Sequence, residues 1–193
     1  MIAAAGKQIK TAFILLMIFT LLTGLIYPGV ITSLAQILFP WQANGSLVKK
    51  NGNNIGSQLI GQSFTDAKYF WGRPSATTPF PYNAANSGGS NSGPNNPDFL
   101  KTVQDRVIHL QQADLQNYDL IPVGLVTASA SGLDPEISPL AAFYQVPRIA
   151  KARKIPESEI TALVQSLIKE RPLKILGEPR VNVLLLNLAL DKL

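Results

Sequence analysis

TAFILLMIFTLLTGLIYPGVITSLAQILF, residues 11–39, holds no charged side chain, and its first part, Thr11 to Tyr27, is almost wholly apolar. At about 1.5 Å per residue a helix over this run reaches roughly 43 Å. A bilayer core is about 30 Å thick and takes about 20 residues to cross. The run therefore spans once with residues to spare. An isolated span must satisfy every backbone amide internally, so it must be helical. Leu15, Leu16, Phe19, Leu22 and Leu25 give the anchor its apolar surface, and Pro28 and Gly29 are expected to bend or loosen it near its far end. Pro40 and Trp41 mark the exit, where an interfacial Trp commonly sits.

The flanks set an expected orientation. Lys7 and Lys10 precede the span with no acidic residue before it, and the first charges beyond are Lys49 and Lys50. Basic residues close to a span stay in the cytoplasm. The reading is a short cytoplasmic N-terminus over residues 1–10, a transmembrane helix and its exit over 11–39, and an extracytoplasmic domain over 40–193. Ser33-Leu34-Ala35 offers a signal-peptidase alternative, which would release a binding module beginning at Gln36. The apolar run is longer than the usual signal-peptide core of about 7–15 residues, and favours an uncleaved anchor.

Composition narrows the chemistry. The 193 residues leave one domain of ordinary size after the anchor. There is no cysteine, which excludes disulfides, a thiol nucleophile and zinc-thiolate sites. Seventeen basic and twelve acidic residues give a net charge of +5. Two of the basic residues precede the span, leaving the domain mildly and diffusely positive, which does not suggest a nucleic-acid partner. Fourteen Gly and fourteen Pro predict many turns.

Along the domain, residues 46–64 place short apolar runs on either side of Asn51-Gly52, a β-hairpin signal. YFWGRPSA, residues 69–76, reads as a local aromatic core with Arg73 bridging loops, or else as a sugar- or base-stacking surface. A long flexible loop is expected over 77–97; its glycines lack the spacing of a phosphate cradle. Asp98 is expected to cap a helix to about Gln112, with Leu100, Val103, Val107 and Leu110 as its buried stripe. The single histidine, His109, lies beside that stripe and is read as a surface residue.

Val123 to Ala128 reads as a short buried strand, followed by Ser129-Ala130-Ser131-Gly132 and Asp134-Pro135. Ser129 or Ser131 could serve a membrane-anchored periplasmic serine hydrolase, although no G-x-S-x-G elbow is present and one His leaves little room for a triad. Asp134 and Glu136 could form a carboxylate pair for acid–base work or cation binding, but their spacing across a proline better suits a turn and helix start, with Ser138-Pro139 as helix N-cap and first position. Arg148, Lys151, Arg153 and Lys154 read as a solvated basic face, or as a docking patch for an acidic partner or anionic head groups. Pro156 opens an amphipathic helix with Ile160, Leu163, Val164, Leu167 and Ile168 on one face. Asn182 is expected to cap a Leu-rich terminal helix; a strand over Val181 to Leu185 is the alternative. The fold class is thus one N-terminal transmembrane helix followed by one extracytoplasmic α+β domain.

Several stretches together resemble a known family: Leu59-Ile60-Gly61-Gln62, Tyr69-Phe70 with Arg73-Pro74-Ser75-Ala76, Ser87-Gly88-Gly89-Ser90-Asn91, Gly93-Pro94, Leu125 to Pro135, Gln145-Val146-Pro147-Arg148 and Gly177 to Val183. They resemble the C subunit of the bacterial Kdp potassium-transporting ATPase, in that family's order and over essentially the whole chain. The resemblance implies a non-catalytic accessory subunit of the inner membrane. Its implied partners are a P-type ATPase subunit that hydrolyses ATP and a channel-like subunit that carries potassium. It also implies a chaperone-like gain in ATP affinity, necessarily indirect if only residues 1–10 face the cytoplasm. The motif positions it marks as partner-interface candidates are Arg73, Ser75, Ser87, Gly88, Gly89, Ser90, Asn91, Ser129, Ser131, Asp134 and Arg148.

Overall fold

The computed structural model describes residues 2–193 and divides into two compact units, one ending at Leu47 and one running Val48–Leu193. The first is a rod of α1 (Ile2–Leu21), a π turn (Leu22–Ile26) and α2 (Tyr27–Leu38), closed by a short α3 (Pro40–Ala43). Residues Gly6–Leu38 form one helix long and apolar enough to cross a membrane, and none of its most apolar stretch is buried. Leu15, Leu16, Phe19, Leu22 and Leu25 are all exposed along it. The expected loosening lies one turn before Pro28. Pro28 has no N–H to give the carbonyl four residues back and its ring crowds that position. The chain widens there, with Tyr27 N–H donating to Leu22 O. Trp41 is exposed, and its indole N–H donates to Leu47 O at 3.0 Å.

The second unit opens with the hairpin expected at Asn51-Gly52. Strands β1 (Leu47–Lys50) and β2 (Asn53–Ser57) pair across it, and both turn residues take positive φ, 53° and 81°. Its helical core comprises α4 (Pro97–Ala113), α5 (Pro139–Tyr144), α6 (Val146–Arg153), α7 (Glu157–Leu167) and α8 (Val183–Leu190). α7 packs on α5, α6 and α8. Phe70, Ile149, Ile160, Val164, Val181, Leu186 and Leu190 are completely buried there. A two-residue antiparallel pair, β3 (Glu136–Ile137) with β4 (Val181–Asn182), sets Glu136 opposite Asn182 and Ile137 opposite Val181. Asn182 caps α8 as expected, its side chain accepting from Leu185 N–H at 3.0 Å, while also lying in β4.

Three local expectations are corrected. Val123–Leu125 is a 3-10 turn rather than a strand. Among the described residues no strand pairs with it; Thr127 N–H and hydroxyl bond Val123 O, and Arg106 donates to the following carbonyl, Val126 O, at 2.8 Å. α4 is capped by Asn96, not Asp98: the Asn96 side chain accepts from Asp98 and Phe99 N–H, and Pro97 takes the first position, where no N–H is needed. On α4, Leu110 is buried and Val103 and Val107 pack on the core, but Leu100 is exposed.

Candidate functional site

YFWGRPSA has no strand partner; buried side-chain amides take that role. Asn187 accepts from Phe70 N–H at 2.8 Å and donates to Phe70 O at 3.0 Å. Gln145 accepts from Trp71 N–H at 2.8 Å and donates to Trp71 O at 3.1 Å. Each amide thus satisfies both backbone groups of one residue, which a buried extended segment requires. Neither role was read from sequence. A signal for Asn187 existed: it is the polar residue inside the apolar run Val183–Leu190.

Arg148 completes this clamp, which corrects its placement on a solvated face. It is 5% exposed and donates to Ala67 O, to Tyr69 O at 3.0 Å and to the Gln145 side chain at 2.7 Å. Its guanidinium lies 3.9 Å from the Trp71 ring centre. Burial brings its pKa down to about 10, so it keeps its charge at neutral pH. His109 is exposed and stacks on Trp71 at 5.0 Å. Arg153 is also committed, to Lys68 O, Leu190 O and Asp191.

A second knot joins three motif loops. Ser75 hydroxyl donates to Gly132 O at 2.7 Å and accepts from Tyr82 N–H at 2.9 Å. Ser87 hydroxyl and Gly88 N–H both donate to Ser131 O at 2.9 Å. Gly132 has φ +67°, and a Cβ there would meet Thr77 Cγ2 at 2.5 Å and Gly88 O at 2.7 Å, so glycine is required. Residues 77–96 hold no helix or strand, yet Thr77, Tyr82, Asn83, Ser87 and Gly88 are pinned through these bonds. Ser90 and Asn91 are exposed, Asn91 with φ 52°. Tyr82 hydroxyl donates to Arg73 O, and burial, then the nearby Asp134 charge, pushes its pKa up to about 12.

The two tempting serines serve this knot. Ser129 is buried and its hydroxyl accepts from Gly132 N–H at 3.0 Å, while Ser131 hydroxyl accepts from Leu133 N–H at 3.1 Å. The only histidine stacks on Trp71 instead, so the arrangement does not favour the hydrolase alternative.

Arg73 and Asp134 leave the knot for a cleft of about 510 Å³, where they pair at 3.0 Å. Asp134 also accepts from Glu136 N–H at 3.0 Å, the turn expected from its spacing, and Glu136 pairs with Arg180 at 2.8 Å. Gly177, Glu178 and Pro179 form the far wall. Motif residues from both halves of the chain therefore meet in one cleft with paired charges. Among the described residues no group of acidic or histidine side chains is arranged to hold a metal ion.

Fold and site define a helix–strand domain, preceded by one helix long and apolar enough to cross a membrane, whose motif side chains are largely spent on holding its own loops together. The matching family model is that of the K+-transporting ATPase, c chain, over residues 9–192, and the chain belongs to that family. It is 57% identical over 188 residues to the potassium-transporting ATPase KdpC subunit of Geotalea uraniireducens, covering 97% of this chain and 98% of the relative. The KdpC subunit of Methylococcus capsulatus is 54% identical over 187 residues, and that of Herpetosiphon aurantiacus 55% over 184. These cover 97% and 95% of this chain, and 98% and 95% of those relatives. A role in a multi-subunit potassium uptake complex, with ATP and potassium handled at the level of that complex, follows from the family.

Proposed function

We propose that the chain is a non-catalytic accessory subunit that holds together a P-type ATPase subunit and a channel-like potassium subunit. In this reading the unit Val48–Leu193 lies outside the cytoplasm, with residues 1–10 inside. Any gain in ATP affinity then passes through helix contacts that bias the pump's conformations. The observation that carries the proposal is where the motif hydrogen bonds go. Ser75, Ser129, Ser131 and Arg148 bond to the domain's own backbone, as expected of a rigid docking body rather than a reaction centre.

The docking surface proposed is the segment 114–123. Tyr118 and Leu120 are 93% and 95% exposed, and the exposed Asp119 lies between them. Apolar groups left in water beside acidic ones suit a partner surface carrying basic residues. Tyr118→Asp with Leu120→Asp in the full chain should leave its folding intact and lower recovery of the partner subunits. Unchanged recovery would place the docking surface elsewhere. Orientation is read separately: with no native cysteine, Ser90→Cys should react with an impermeant maleimide on spheroplasts.

A further inference from the structure

Between Lys169 and Arg180 the chain leaves the core and returns. The two residues pair backbone to backbone, Lys169 N–H to Arg180 O at 2.8 Å and Arg180 N–H to Lys169 O at 3.0 Å. Just outside them, the Arg171 guanidinium pairs with the Glu178 carboxylate. The neck is thus closed twice, and residues 172–177 project beyond it. The tip is a 3-10 turn, Pro172–Lys174, with Leu173 and Lys174 both at positive φ, 53° and 64°. Left-handed backbone is costly for residues with a Cβ, and two in succession shape this tip. The side chains it presents are apolar: Leu173 is 81%, Ile175 76% and Leu176 55% exposed. Burial within the domain therefore accounts for neither the shape nor the composition of this loop.

We propose that this loop is a membrane contact, in which Leu173, Ile175 and Leu176 enter the boundary between head groups and acyl chains. Lys174, between them, extends its ammonium to anionic head groups. Charge selects lipid as the occupant. Residues 169–178 carry Lys169, Arg171 and Lys174 against Glu170 and Glu178, and Arg171 is already matched by Glu178. Within the same unit, the exposed apolar stretch 114–123 carries the exposed Asp119 and no basic residue, so an anionic leaflet would repel it. The chain's own anchor tethers it to the bilayer, so even a weak contact is favoured by the high effective concentration. This inference does not depend on the docking surface proposed above.

The test uses the full cysteine-free chain carrying Leu173→Cys, labelled with a nitrobenzoxadiazole fluorophore, in phosphatidylethanolamine–phosphatidylglycerol nanodiscs. Blue-shifted emission, and quenching by lipids with a nitroxide near the head group, are expected. Adding Lys174→Gln should lower the partition into lipid about fivefold, the effect of one basic residue at an anionic surface. Water-like emission without quenching by the nitroxide lipids overturns the proposal. So does a blue shift that arises only when the other pump subunits are added, which would make the loop a protein contact.

Discussion

The Gln145 side chain pairs with the backbone of Trp71 on both sides, accepting its N–H at 2.8 Å and donating to its carbonyl at 3.1 Å. With Asn187 doing the same for Phe70, the α5–α6 junction and α8 hold this segment as a neighbouring strand would. The same Gln145 oxygen also receives Arg148 at 2.7 Å, so one amide joins the segment, the helix and the buried cation.

Gln145→Leu keeps the volume but removes these partners. It leaves the two part-buried backbone groups of Trp71 and part of a buried guanidinium unmatched; a fully buried unmatched group costs about 1–3 kcal/mol and a part-buried one less. We expect a loss of about 2–4 kcal/mol, read by circular dichroism during urea unfolding of the full chain in detergent. A change within the scatter of a surface substitution would refute the clamp.

The two motif glycines should behave differently. A Cβ at Gly89 would lie 2.9 Å from Ala130 O, a backbone atom that cannot swing aside, whereas Gly88 has open space. Gly89→Ala should cost about 1–3 kcal/mol and Gly88→Ala less than about 0.5 kcal/mol. If Gly88→Ala leaves the melting temperature unchanged yet weakens assembly, Gly88 lies at a subunit contact.

Asp191 links stability to pH. Burial alone would push its carboxyl up, but hydrogen bonds from Arg153, Tyr69 and Lys50 outweigh this and hold it below the usual carboxylate range. A depressed carboxyl stabilises above its unfolded pKa, about 3.9, and loses that contribution as the pH falls through the lower folded value. Asp191→Asn should therefore melt below the parent at pH 7, and the gap should shrink as the pH falls below the ordinary carboxylate range. A gap that persists in acid would contradict the pairing.

Much of the fold can be read locally. The long apolar N-terminal helix, the Asn51-Gly52 hairpin and the Ser138 and Asn182 caps all follow from the local sequence. The clamp does not, because Gln145 and Trp71 are 74 positions apart and nothing near either residue indicates the other. Val123–Leu125 misleads differently: its apolar run suits a strand, but the Val123 carbonyl is met locally by Thr127, and the one just after the turn, Val126 O, by a distant Arg106. The candidate site is likewise legible as motifs and not as geometry. Ser75, Gly88, Ser131 and Gly132 are informative only once three loops meet.

Lys7 and Lys10 test the indirect route to ATP. Because the pair also sets the expected orientation, each is neutralised alone: Lys7→Gln or Lys10→Gln should leave stimulation of ATP binding in the assembled pump within about twofold, because one solvated charge contributes little beyond a Debye length. Complete loss of stimulation would instead place a direct nucleotide contact in this segment.

The most direct measurement is affinity purification of this chain from its native membrane in mild detergent, with co-purifying proteins identified by mass. The account predicts a P-type ATPase subunit and a large multi-span subunit in equal stoichiometry with it. Recovery of the chain alone, from potassium-starved cells that make the pump, would contradict it.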